Sequence, residues 1–161
     1  IEYGLTYIYG IGLHTSSHSF EIYKSVEDYF WDLEQIGNVV RDQIGYVPAF
    51  IRFPGGSSNT RSARYAKGIM AKLTEEVQKR GYQYWDWNAE TGDGNMLSVE
   101  EEIAEATSCD YNNIVMLAHD GDLKEATLEA LPTIIQNYKD RGYTFKPLDR
   151  EAKVIHHEVL N

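Results

Sequence analysis

A chain of 161 residues suits one domain and excludes a multi-domain account, since a single core serves roughly 100–200 residues. Its composition, 42% apolar, 12% aromatic and 25% charged, is that of a folded globular protein rather than a disordered or collagen-like one. Fifteen Lys and Arg against twenty-five Asp and Glu leave a net charge of −10, which repels nucleic-acid phosphates and anionic membrane faces.

Cys109 is the lone cysteine, which excludes an intrachain disulfide and a cysteine-based zinc site. No apolar run is long enough to span a bilayer. Ile1-Glu2-Tyr3-Gly4 carries neither an initiator Met nor a basic, apolar leader, so the chain is expected to begin inside a longer sequence.

In chain order, Tyr7–Leu13 reads as a short strand. Ser25 then N-caps a helix whose apolar face carries Val26, Tyr29, Phe30, Leu33, Ile36, Val40 and Ile44 at helical spacing. A strand over Ala49–Phe53 precedes a helix from about Ser62 to Lys79, with Ile69, Leu73 and Val77 inward, and Tyr82–Asn88 reads as the next strand. Ser98 and Glu101 form a capping box for a short acidic helix. The remaining elements are a strand over Asn113–Ala118, a helix over Lys124–Asp140 with Pro132 as a local irregularity, and a strand over Tyr143–Leu148. Gln43-Ile44-Gly45-Tyr46, Lys79-Arg80-Gly81-Tyr82 and Asp140-Arg141-Gly142-Tyr143 each read as helix end, glycine C-cap and strand. Strands alternating with helices predict a mostly parallel sheet with helices outside, either an open α/β sheet or a barrel. Ligands of both architectures bind at the C-terminal strand ends. No linker interrupts the pattern, so residues 1–161 are treated as one domain.

The segments after the strands hold the chemistry. His14 and His18 stand four apart, a spacing that on a helical turn lets both imidazoles reach one metal ion, although loop histidines also serve as solvated or capping groups. A zincin motif is excluded because Thr15 stands where its general-base Glu belongs. His119 closes an apolar strand with Leu117 two positions before it, and reads either as a general acid or as a ring bonded to the next loop. Arg52, within Phe50-Ile51-Arg52-Phe53, is costly to bury unless it meets a carboxylate or a bound anion. Gly55 and Gly56 after Pro54 make either a plain tight turn or one that aims N–H groups at an oxyanion. Trp85 and Trp87 read as core aromatics or, for the one facing outward, a stacking wall for a sugar.

Taken in order, His14-Thr15-Ser16-Ser17-His18, Arg52-Phe53-Pro54-Gly55-Gly56, Asp86-Trp87-Asn88 through Gly92-Asp93, and Leu117-Ala118-His119-Asp120 resemble motifs two to five of the polysaccharide deacetylase family. This is the NodB homology domain, carbohydrate esterase family 4, and the resemblance is to its bacterial peptidoglycan N-acetylglucosamine deacetylase branch in particular. It runs from about His14 to Leu148 and extends to Ser57-Ser58-Asn59 and to the tail Val154-Ile155-His156-His157. The resemblance implies a distorted (β/α) barrel and metal-dependent hydrolysis of the N-acetyl group of N-acetylglucosamine units in peptidoglycan or a chitin-like glycan. It also implies a site of action outside the cell or at its surface. His14 and His18 would ligate a divalent metal, most often Zn2+, and His119 would protonate the leaving amine. Asp93, with Asp86 as the alternative, would hold and tune His119, and Arg52 would orient the catalytic base. Gly55 and Gly56 would offer N–H groups to the oxyanion, Trp87 would wall the sugar site, and Leu117 would line the pocket for the acetyl methyl.

The family's first motif, an Asp-Asp strand end that supplies the base and a third metal ligand, has no counterpart, because no aspartate precedes His14. The expected fold is therefore a barrel incomplete at its N-terminal side, a partial deacetylase domain over 1–161. In it zinc would be weakly held and an exposed sheet edge would favour self-association. The alternative is a non-catalytic glycan-binding or structural remnant of such a domain.

Overall fold

A computed structural model of the chain describes residues 10–161, so Tyr7–Tyr9 of the first expected strand lie outside the described residues. The chain divides into two compact units. One comprises the described part of Ile1–Asp86 with Val154–Asn161, and the other is Trp87–Lys153.

In the first unit, α1 (Val26–Ile44) starts where extended Ser25 turns its side chain back to accept the Asp28 N–H, and stops at Gly45, left-handed at φ 84°. Tyr29 and Leu33 of its expected face are buried, and Val26, Phe30, Ile36 and Val40 pack partly against the same core, whereas Ile44 in the last turn lies at the surface. Helix α2 (Ile69–Lys79) is shorter than expected. Arg61–Arg64 forms a 3-10 turn and Gly68 is left-handed at φ 74°, a conformation that no right-handed helix includes. Ile69, Leu73 and Val77 are buried as expected.

Gly68 has no side chain with which to cap α2, and the cap comes from Asn161. Its Oδ1 accepts the Gly68 N–H at 2.8 Å, its backbone oxygen accepts the Ala71 N–H at 2.8 Å, and its Nδ2 donates to Ser62 Oγ at 2.8 Å. Strand β1 (Phe50–Ile51) pairs in parallel with β2 (Gln83–Tyr84), and Leu13 bridges to Ile51, also in parallel. The regular ladders are shorter than the apolar runs that contain them. The core of this unit gathers Tyr23, Tyr29, Leu33, Phe53, Met70, Leu73 and Tyr84 around these elements.

In the second unit, β3 (Ala89–Glu90), which the sequence reading placed in a loop, pairs in parallel with β4 (Met116–Leu117). Helix α3 (Val99–Ala106) opens on the expected capping box, with Ser98 Oγ accepting the Glu101 N–H and Glu101 Oε2 accepting the Ser98 N–H. Helix α4 (Glu125–Asp140) continues through Pro132 and packs on α3 around Ala106, Ala130, Ile134 and Tyr138. The ends of α2 and α4 are alike. Tyr82 N–H bonds Val77 O and Gly81 N–H bonds Gln78 O, as Tyr143 does to Tyr138 and Gly142 to Lys139, all at 2.9 Å. Gly81 and Gly142 are left-handed at φ 86° and 87°, which completes the glycine C-cap at each junction. The expected strand over Tyr143–Leu148 does not form. Residues 144–147 are exposed and Pro147 has no N–H, while the Tyr143 ring turns edge-on to Tyr138 at 5.1 Å. No helix among the described residues is long and apolar enough to cross a membrane.

The cap on α2 predicts a measurable role for the tail. Asn161→Ala should lower stability by about 1 kcal/mol in urea unfolding, the usual cost of losing a side-chain cap, whereas Asn161→Asp, which keeps the accepting oxygen, should lose less. Equal midpoints for wild type and Asn161→Ala would remove the capping role.

Candidate functional site

The His14–His18 segment is not the helical turn that its spacing suggests. Thr15 at φ 66° and His18 at φ 51° are left-handed, yet the two imidazoles meet edge to face with centroids 4.9 Å apart. The loop is held from α1, where buried Asp32 accepts the Ser16 N–H at 2.5 Å and the Ser17 N–H at 3.2 Å. The sequence reading passed over Asp32. Its signal was an acid one turn after Tyr29 on an otherwise apolar helix face. His14 Nδ1 lies 2.8 Å from the Arg52 carbonyl oxygen. A carbonyl can only accept, so Nδ1 carries a proton, as it does in the tautomer by which a histidine ligates a metal through Nε2. This donor set fits a divalent ion that favours imidazole nitrogen. Among the described residues, no cluster of three His, Cys, Asp or Glu side chains stands ready to hold a metal.

Arg52 acts here through its backbone as well as its side chain. Burial pushes the guanidinium below its ordinary value while the Asp86 charge pulls it back up, and Nε donates to the Trp85 carbonyl at 3.4 Å. Gly55 and Gly56 stand at φ 79° and 76° in a turn fixed by Tyr23 OH, which donates to Pro54 O at 2.8 Å. The Gly56 N–H closes that turn on Phe53 O at 2.8 Å, so it is already occupied.

Asp86 is fully buried, and its carboxylate accepts the Ser57 N–H at 2.8 Å, the Ser57 hydroxyl at 2.5 Å and the His157 N–H at 2.9 Å. Ser58 Oγ and Asp86 Oδ1 both face Nδ1 of His157, at 3.0 and 4.0 Å. A nucleophilic relay needs acid and nucleophile on opposite ring nitrogens, so this trio is structural.

In the second unit Asp93 carries the histidine. Its Oδ1 lies 2.8 Å from His119 Nδ1 and its Oδ2 accepts the His119 N–H at 2.7 Å, so the carboxylate grips the residue by both ring and backbone. Asp93 is 2% exposed and the His119 side chain 48%, an anchored acid beneath an open imidazole. Gly92, left-handed at φ 72°, sets Asp93 at the head of the turn. The left-handed backbone disfavours any side chain, and a Cβ there would also have to push aside Leu97 Cδ1, 2.7 Å away. Burial alone would raise the Asp93 carboxyl, but the bonds from the His119 ring and N–H and the charges of His119 and Lys124 outweigh it and hold the group below the usual carboxylate value. Lys124 Nζ also donates to the Asp93 carbonyl. With Oδ1 accepting from Nδ1, Nε2 is the nitrogen left to exchange a proton with a reactant.

Leu117 ends β4, partly buried, and its carbonyl accepts the Thr91 N–H at 3.0 Å. Trp87 is also partly buried, and the neighbouring Asn88 is clamped to Asn113 O and the Val115 N–H. The structure thus joins His14 to His18 and to the Arg52 carbonyl, and separately joins Asp93 to His119. Asp86, the alternative partner for His119, is taken by Ser57 and the tail.

No family model matches the chain. Among solved structures it is similar to the catalytic domain of a peptidoglycan N-acetylglucosamine deacetylase from Eubacterium rectale, with 41% identity and a TM-score of 0.87 over 92% of this chain and 69% of that one. A carbohydrate esterase family 4 esterase from Streptococcus mutans follows at 28% identity and TM-score 0.72, over 86% of this chain and 62% of that one. Among curated proteins, a peptidoglycan-N-acetylglucosamine deacetylase of Bacillus cereus is 26% identical over 150 residues, covering 88% of this chain and 51% of its own length. The chain spans about half the length of the curated relatives it matches.

The depressed Asp93 carboxyl links the second cluster to stability. A group held below its unfolded value contributes fully above the ordinary carboxylate range and loses that contribution as pH falls through the folded value. The urea midpoint should therefore drop as pH falls below about 4, and Asp93→Asn should flatten that acid-side dependence. An unchanged slope in the variant would show that other carboxylates carry it.

Proposed function

Since the chain belongs to the polysaccharide deacetylases of carbohydrate esterase family 4, we propose that it is the C-terminal part of a domain that hydrolyses the N-acetyl group of N-acetylglucosamine units in cell-wall glycan, releasing acetate. The observation that carries this reading is the Asp93–His119 pair, a buried acid fixing Nδ1 of an exposed imidazole at 2.8 Å. Amide hydrolysis must protonate a poor leaving group, the sugar amine, as the C–N bond breaks. His119 delivers that proton from Nε2 and is left neutral with Nδ1–H on Asp93, while water gives a proton to the base of the upstream segment as it adds to the acetyl carbon, and its oxygen leaves in acetate. Asp93 holds the ring in the required tautomer and stabilises the imidazolium before transfer.

The other residues take supporting roles in the same reading. His14, through Nε2, the ring nitrogen opposite the one bonded to Arg52 O, and His18 would hold a divalent metal, zinc by preference. Such an ion, when bound, would polarise the acetamide carbonyl and the attacking water. Gly55, whose N–H is not taken by the turn, is the oxyanion donor of the glycine pair, and Arg52 orients the base that an upstream segment provides. Leu117 receives the acetyl methyl and Trp87 the sugar face. The barrel is read as incomplete at its N-terminal side, the whole of 1–161 as one partial domain, and the place of action as outside the cytoplasmic membrane, where cell-wall glycan lies.

Restoring an upstream segment with its aspartates tests the reading. Acetate release from N-acetylglucosamine oligomers should be undetectable for 1–161 alone and appear in the restored protein. There His119→Ala should lower turnover by roughly 10²–10⁴-fold with zinc binding intact, and His14→Ala should abolish both. An inactive restored protein that still binds the oligomers would favour the glycan-binding alternative. Taken alone, the chain should also self-associate through the strand edges left unpaired among the described residues, and a concentration-independent monomer in sedimentation would count against that.

A further inference from the structure

The buried side of Asp93 holds two groups that the reaction as described does not use. Thr127, on the first turn of α4 and 2% exposed, places Oγ1 at 3.4 Å from Asp93 Oδ2 and at 3.3 Å from Glu102 Oε1. Glu102 sits on α3 and is itself 2% exposed, although a helix face turned to a core ordinarily carries no acid. Its Oε2 is buried and has no hydrogen-bond partner among the described residues. A threonine hydroxyl has one proton, and here two carboxylate oxygens compete for it.

We propose that Thr127 and Glu102 are positioning residues for the acid, with the Thr127 hydroxyl sharing its one proton between Glu102 and Asp93 and so setting how much negative charge Asp93 turns toward His119. These positioning roles stand on the geometry of the chain itself, and only their catalytic consequence rests on the deacetylase reading. Every donor to the Asp93 carboxylate drains charge from it. His119 itself gives two bonds, and Thr127 gives a third whose strength depends on how firmly Glu102 holds the same proton. The charged groups around Asp93 are His119 after β4, Lys124 at the head of α4, and Glu102 from α3.

Two substitutions should then act with opposite sign. Thr127→Val removes the hydroxyl at nearly constant volume, leaves more charge on Asp93 and favours the imidazolium. Glu102→Gln weakens the competing acceptor and removes a negative charge, releases the hydroxyl to Asp93 and disfavours the imidazolium. A loosened structure would instead carry His119 in one direction in both variants.

The test is the pH titration of His119 by NMR in the 161-residue chain, which needs neither metal nor activity. The midpoint should rise by about half a pH unit in Thr127→Val, fall by a similar amount in Glu102→Gln, and stay at the wild-type value in Thr127→Ser. Shifts of the same sign in the first two variants, or no shift in either, would overturn the proposal. Should Thr127→Val fail to fold, Glu102→Gln and Thr127→Ser still decide it by their predicted fall and constancy. In the restored enzyme the alkaline limb of the pH–rate profile should move with the midpoints at unchanged KM. An inactive restored enzyme with the titration shifts intact would refute the deacetylase reading and leave the positioning roles standing.

Discussion

The first unit depends on one buried charge, the carboxylate of Asp86. A carboxylate removed from water costs several kcal/mol unless donors replace its hydration. Here they come from two distant stretches of sequence. Ser57 supplies a backbone and a hydroxyl proton from the turn after β1, and His157 supplies a backbone proton from the tail. Arg52 adds the compensating positive charge. Because the cost of leaving Asp86 unpaired is large, the Pro54–Ser57 turn, Asp86 two residues after β2 and residues 154–161 must be in place together. That condition in turn fixes Arg52, which follows β1, and with it the carbonyl that orients His14.

The same device recurs at the His14–His18 loop and at His119. Asp32 accepts two N–H groups of the loop between His14 and His18, and Asp93 accepts both the backbone and the ring of His119. In all three cases a buried carboxylate accepts hydrogen bonds from a loop that would otherwise be free to wander, and the exposed residues His14, His18 and His119 are tethered through such an anchor. Precision in the exposed group comes from burial of the acid, since charge-assisted bonds in a drier environment are both stronger and more directional.

What the sequence made legible follows from the range of the interactions involved. Ser25, the Ser98–Glu101 box and the three glycine C-caps act within a few residues of themselves, so local chemistry identified the starts of α1 and α3 and the ends of α1, α2 and α4. The strands were less legible because an apolar run becomes a ladder only where a neighbour supplies the matching groups. Ala89–Glu90 finds one in Met116–Leu117, and Tyr143–Leu148, with Pro147 and a ring committed to Tyr138, does not. The start of α2 was misplaced for a related reason, since its cap comes from Asn161. At the candidate site, His14, His18, Asp93 and His119 stood out by residue type and position. Their anchors Asp32, Thr127 and Glu102 lay hidden on helix faces, where only a polar residue out of pattern marks them.

Asn161 and His157 make the first unit discontinuous in sequence, with all of Trp87–Lys153 interposed between its two parts. During synthesis the turn at Ser57 and the head of α2 emerge long before the residues that satisfy them. Until then Asp86 must stay hydrated and α2 uncapped. Completion of this unit is therefore a late event that waits on closure of a long loop, with an entropy cost that rises only slowly with loop length. Trp87–Lys153, whose helices α3 and α4 pack on each other, needs no such delay, so a vectorially made chain is disposed to order its middle before its beginning.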